Sequence, residues 1–179
     1  MKTLIIFTTL LFNQFLAASV IESSVKFVAK GKPSFIKIKG EAGLKSGTLT
    51  LKENKLKGEF VLDLSTIKTG VELRDNHLKE KYLEVNKEKF KHAKLTFSAP
   101  YDGKKEKHII AAMLNLHGEE KEVELDAEII NTNNVMSIKV KFPISIHHYN
   151  IDVPSFKGIT VAKKVDIAVV AKVSVNDAK

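Results

Sequence analysis

The 179-residue chain has no cysteine, so it contains neither a disulfide staple nor a thiol that could carry a lipid anchor near its start. It also has a single arginine, Arg74, although Lys and Arg together number 29. Nucleic-acid binders cluster arginine and expose aromatics for stacking, so a net charge of +8 carried almost wholly by lysine does not point to nucleic acid. It predicts a solvated lysine surface, with at most a weak contact with anionic membranes that fades as salt rises. No Gly-x-Ser-x-Gly, no paired nucleophile and base and no phosphate loop is visible, which argues against an enzyme. His92, His108 and His117 lack ligand spacing, and the neighbours His147 and His148 are expected on opposite faces of a strand, so no metal or other cofactor is expected. Proline is scarce, and Pro143 inside a strong strand pattern predicts an edge position or a bulge.

Long apolar runs are missing except at the start, MKTLIIFTTLLFNQFLAAS. A lysine, an apolar stretch from Leu4 to Leu16 and a small-x-small site at Ala17-x-Ser19 have the form of a secretory signal. The stretch is too short and interrupted to span a membrane comfortably. Residues 1–19 are thus expected to be a cleaved signal peptide and 20–179 one domain, in the periplasm or secreted. About 160 residues suffice for a single sizeable core.

What remains is alternation. Glu122 to Ile129 sets every second side chain apolar, and Gly58 to Thr66 turns Phe60, Leu62 and Leu64 to one face. Val135 to Ile146 and Val165 to Val175 repeat the pattern, and shorter runs occur at Val25–Val28, Phe35–Lys39, Thr48–Lys52, Lys94–Ser98 and His108–Leu116. Residues 52–55 and 117–120 read as hairpin connections, and 131–134 as a further turn cluster. The expected fold class is all-β, a meandering antiparallel set that either packs as two sheets or closes into a barrel of about eight strands, whose interior can just hold one small or elongated apolar ligand.

One stretch interrupts the alternation, TIKTGVELRDNHLKEKYLE from Thr66 to Glu84. Asp75 is placed to cap or begin a helix, after which Leu78, Tyr82 and Val85 recur at helical spacing as one apolar stripe. The expectation is a short helix lying across one barrel end as a lid or plug.

The same residues carry a family likeness. The strand Phe60 to Leu64, Ser65-Thr66-Ile67-Lys68-Thr69-Gly70, Arg74-Asp75-x-His77-Leu78, Tyr82-Leu83-Glu84, Phe90 and the strand Ala93 to Phe97 resemble the YceI-like family of polyisoprenoid-binding, lipocalin-like proteins. The hairpin Leu114 to Leu125 and the closing pair Tyr149-Asn150-Ile151 and Val165-Asp166-Ile167 are similar to it too. The chain departs from the pattern at Lys89 and Glu122, where the family has proline, and its segment Val25 to Pro33 is compressed. The shorter segment implies a smaller or differently shaped pocket.

The resemblance implies an antiparallel lipocalin-like β-barrel of about eight strands with the short helix as lid or plug, and a binding module whose partner is an isoprenoid lipid, a polyprenyl phosphate or a quinone, held in an apolar cavity for sequestration or transport. Candidate contacts are Phe27, Phe35, Phe60, Leu62, Leu78, Tyr82, Phe97 and Phe142 for the tail, with Arg74 and His77 near a head group. The alternative for Arg74 and Asp75 is a structural one, hydrogen bonds and an ion pair that fix the lid to neighbouring strands. The alternative for the aromatics is a solid core, which would make the chain a filled barrel acting in stress or surface interaction through its lysine face.

Overall fold

Alternation with a period of two becomes eight long strands that close on one another. The computed structural model describes residues 18–32, 36–103, 106–132, 135–156 and 159–174. The expected signal up to residue 17 and the candidate contact Phe35 lie outside the described residues, as does the side chain of Phe156. Strands β1 (Ala18–Lys32), β2 (Lys37–Lys52), β3 (Lys55–Lys68), β4 (His92–Pro100), β5 (Lys107–Leu116), β6 (Glu119–Thr132), β7 (Val135–Ser145) and β9 (Ile159–Ser174) follow one another around the sheet. All neighbours are antiparallel, and β1 pairs with β9 from Val20↔Val173 to Lys32↔Thr160, which removes the free edges. A two-residue strand, β8 (Ser155–Phe156), pairs with β9 only. Ala18 and Ser19, which the expected cleavage removes, pair with Leu49 and Thr48.

The hairpins are set by left-handed residues. Glu53 and Asn54 have φ of 52° and 58° between β2 and β3, and His117 and Gly118 have 52° and 79° between β5 and β6, the paired positive values that match strand twist in two-residue turns. Residues 37–39 of one run read from sequence and the whole of another, Thr48–Lys52, belong to the single strand β2. Register slips between Glu41 and Gly43 and between Leu44 and Ser46 break its alternation and hide its continuity. Pro143 holds a local edge position of β7, one of the two places expected for it, and no bulge occurs there. The pairing of β7 with β6 stops at Lys141, so the missing N–H falls beyond the ladder while β9 continues alongside.

Between β3 and β4 the chain leaves the wall. Helix α1 (Glu72–Asn76) runs into a π-helical turn, His77–Tyr82, and a 3-10 turn, Glu88–Phe90, leads into β4. The N-cap is Val71, which caps with no side chain, and Asp75 sits inside the helix rather than at its start.

The interior is uneven along its axis. Away from α1 it is solid, with Leu49, Leu56, Leu125, Ile129, Met136 and Val173 all almost fully buried. Toward α1 the inward side chains stand back from one another and enclose a void. The filled-barrel reading therefore holds for only one half of the molecule.

Candidate ligand cavity

The void has a volume of about 430 Å³ and is walled almost wholly by carbon. Its bore depends on how three phenylalanines lie. Phe27, Phe60 and Phe97 stand opposite Gly40, Gly47 and Gly58 in register, and each ring folds down over its glycine. A Cβ at Gly58 would lie 2.4 Å from the Phe97 ring, one at Gly40 2.3 Å from the Phe27 ring and one at Gly47 2.9 Å from the Phe60 ring. The notches let the rings flatten against the wall, an arrangement by which aromatics cover glycines in sheets. Phe60 and Phe97 also stack on each other at 6.3 Å between centroids. Leu62 and Phe142 complete this part of the wall, from β3 and β7.

The lid covers the void with Leu78, Tyr82 and Leu83. Its π-helical turn is marked by the bond from Leu83 N–H to Leu78 O at 2.9 Å, five residues back, and such wide turns bring an extra side chain to the inner face. Leu83 takes the third place that helical spacing assigned to Val85, which packs against the core without bordering the void. Val71 and Leu73 also border it, and they are 49% and 54% exposed, so the cavity meets solvent there.

Three sets of contacts fasten the lid. Asp75, the only buried charged side chain among the described residues, accepts hydrogen bonds from Thr69 N–H at 2.8 Å and from Thr69 Oγ–H. Arg74 Nε–H donates to Thr69 Oγ at 2.7 Å and Nη2–H to Thr69 O at 2.8 Å. Burial of a carboxylate is tolerable only with such donors. The two charges thus meet through Thr69, just past β3, and not through an ion pair to strands. Farther along, Tyr82 Oη accepts the Ser155 N–H at 3.3 Å. Beyond the lid's end, Glu84 Oε2 lies 3.3 Å from His117 Nε2, whose Nδ1 is 3.1 Å from Tyr149 O and whose ring packs on Phe90 at 4.0 Å. A hydrogen bond from Lys87 holds the Glu84 carboxyl below the usual glutamate range, with His117 adding to it.

Of the candidate residues inside the described regions, all nine border this one void: Phe27, Phe60, Leu62, Phe97 and Phe142 in the wall, Leu78 and Tyr82 in the lid, Arg74 and His77 at its rim. Asp75 does not border it. His147 and His148 lie in a 3-10 turn, Ile146–Tyr149, after β7 has ended, and not on a strand. Among the described residues no three His, Asp or Glu side chains are grouped to hold a metal. Chemically the site can surround an apolar chain and offer guanidinium N–H groups to an anion at its margin.

The sequence pattern of the YceI-like domain matches residues 19–173. The chain belongs to the YceI-like domain family. Solved structures are similar to it at low identity. Burkholderia cenocepacia BcnA superposes with a TM-score of 0.70 at 14% identity, covering 84% of this chain and 95% of its own. A polyisoprenoid binding domain from Saccharophagus degradans, implicated in plant cell wall breakdown, gives 0.68 at 14%, covering 89% and 98%. A Campylobacter jejuni YceI protein gives 0.54 at 18%, covering 75% and 84%. No curated protein matches. At such identities the superpositions establish the lipocalin-like barrel of the family, and the cavity must be read from this chain's own residues.

Proposed function

We propose that this protein is an isoprenoid-lipid carrier, exported through its N-terminal signal to the periplasm or beyond, which holds the tail of a polyprenyl phosphate or a quinone inside the barrel. The observation that carries the reading is the void of about 430 Å³. Its size falls within the roughly 300–1,000 Å³ of ligand pockets, and its walls offer few polar atoms to a polar ligand. The polyisoprenoid-binding domain of Saccharophagus degradans, similar in fold, supports the choice of lipid class. A branched hydrocarbon gains about 0.8 kcal/mol for each methylene moved from water to such a lining.

Arg74 fits the head group. Of the five N–H donors of a guanidinium, two are given to Thr69, and the group stands at the margin of the void. Its fork suits a phosphate or carbonyl oxygen better than a lysine would.

The test is a titration of detergent-free protein with an isoprenoid quinone and with the same head group lacking its tail. The tailed ligand is expected to bind with a saturable signal and the bare head group not to bind. Equal, weak binding of both would remove the lipid from the reading.

A further inference from the structure

We infer that the cavity mouth is a membrane-docking face, on which Val71 and Leu73 enter the surface of an anionic phospholipid bilayer while lysines of the strand ends beside them bind its head groups. The inference rests on the carrier reading, since a tail that avoids water must pass directly between bilayer and cavity.

Most exposed apolar side chains of this molecule, such as Ile21, Ile109 and Val170, stand singly on outer strand faces, which is ordinary for a protein surface. Val71 and Leu73 differ. They are two residues apart, half exposed, and among the exposed large apolar residues they alone also border the cavity. Their apolar surface is therefore continuous with the lining.

Lysine is the commonest charged residue at this end of the barrel. Ile36 and Val161 border the same cavity from the ends of β1–β2 and β9. Exposed Lys37 follows Ile36 and pairs in register with exposed Lys30; exposed Lys68 precedes Val71 by three residues; exposed Lys163 and Lys164 follow Val161. The ion pairs among the described residues engage Lys52, Lys87, Lys91, Lys94, Lys121, Lys139 and Lys172, and none of the five mouth lysines. The exposed acids nearest along the chain are Glu72, between Val71 and Leu73, Glu41, opposite Lys68 in register, Asp166, two residues past Lys164, and Asp152. An apolar tip at the barrel end that carries five lysines outside these ion pairs is complementary to an anionic bilayer, where head groups meet the ammonium groups and acyl chains meet the tip.

Flotation with vesicles of phosphatidylglycerol and phosphatidylcholine, against phosphatidylcholine alone, tests the face. The protein is expected to float with the anionic vesicles at low salt and to be released as salt rises. The triple variant Lys37→Glu, Lys68→Glu, Lys163→Glu should bind about tenfold more weakly, whereas Lys55→Glu, Lys57→Glu, Lys107→Glu at the opposite end, with the same change of charge, should bind nearly as the parent does. Equal losses from both variants, or no flotation at all, would overturn the docking face. Organic extraction of the same samples separates the two readings. Bound isoprenoid without flotation sinks the face alone, and flotation through the mouth lysines with an empty cavity sinks the carrier and keeps the face.

Discussion

At Gly58 a Cβ would lie 2.4 Å from two atoms of the Phe97 ring, well inside carbon contact distance. The ring has open volume on its other side, so Gly58→Ala is expected to push it into the cavity while the barrel still folds. Overpacking of this kind costs about 1–3 kcal/mol, and chemical denaturation together with lipid titration should show a modest loss of stability and a larger loss of ligand affinity. Unchanged affinity would mean that Phe97 does not set the bore. Thr69 is a second single-residue hinge of the account, because its hydroxyl accepts from Arg74 and donates to buried Asp75. Thr69→Val leaves the carboxylate with one donor fewer and is expected to cost about 1–3 kcal/mol, with Thr69→Ser restoring most of it. The inward phenylalanines were legible from alternation alone. Their glycine partners were not, because cross-strand register joins Gly58 to Phe97 and Gly40 to Phe27 across distances no local pattern spans.

The lid shows how far helical spacing reaches. Leu78 and Tyr82 lie inward as a period of 3.6 requires, and the π-helical turn then replaces Val85 by Leu83, a change that no residue between His77 and Tyr82 announces. Asp75 looks like an N-cap in sequence, yet Val71 occupies that position and Asp75 is drawn inside by Thr69. The clasp beyond the lid gives a prediction in pH. Glu84 in the folded protein is held below its ordinary value of about 4.5, first by Lys87 and then by His117, so what it contributes is present above that value and is lost as pH falls through the folded one. Asp63, held below 3.8 by the Ser65 hydroxyl, acts in the same direction lower on the scale. Denaturation midpoints measured from neutral pH downward should therefore fall less steeply below about pH 4.5 for Glu84→Gln than for the parent. Parallel curves would show that the clasp has no part in holding the lid.

For the whole molecule, alternation established an all-β meander and left open whether it packed as two sheets or closed. Closure is decided by β1 meeting β9, a pairing between opposite ends of the chain that turn chemistry cannot reveal. The cavity was still less legible. Inward apolar residues serve a solid core and a lipid tunnel equally, and here they do both: Leu49, Leu125 and Met136 fill one half while Phe27, Phe97 and Phe142 line the other. The family pattern over 19–173 and the barrel agree with each other, and the open half lies within both. That half tests the account most directly through the native mass of the protein, expressed with its N-terminal segment in an exporting bacterium, purified without detergent and weighed before and after organic extraction. The account predicts an excess of several hundred daltons over the polypeptide, removed by extraction and recovered as an isoprenoid; a mass equal to the bare chain, with no uptake when isoprenoid is added back, would contradict it.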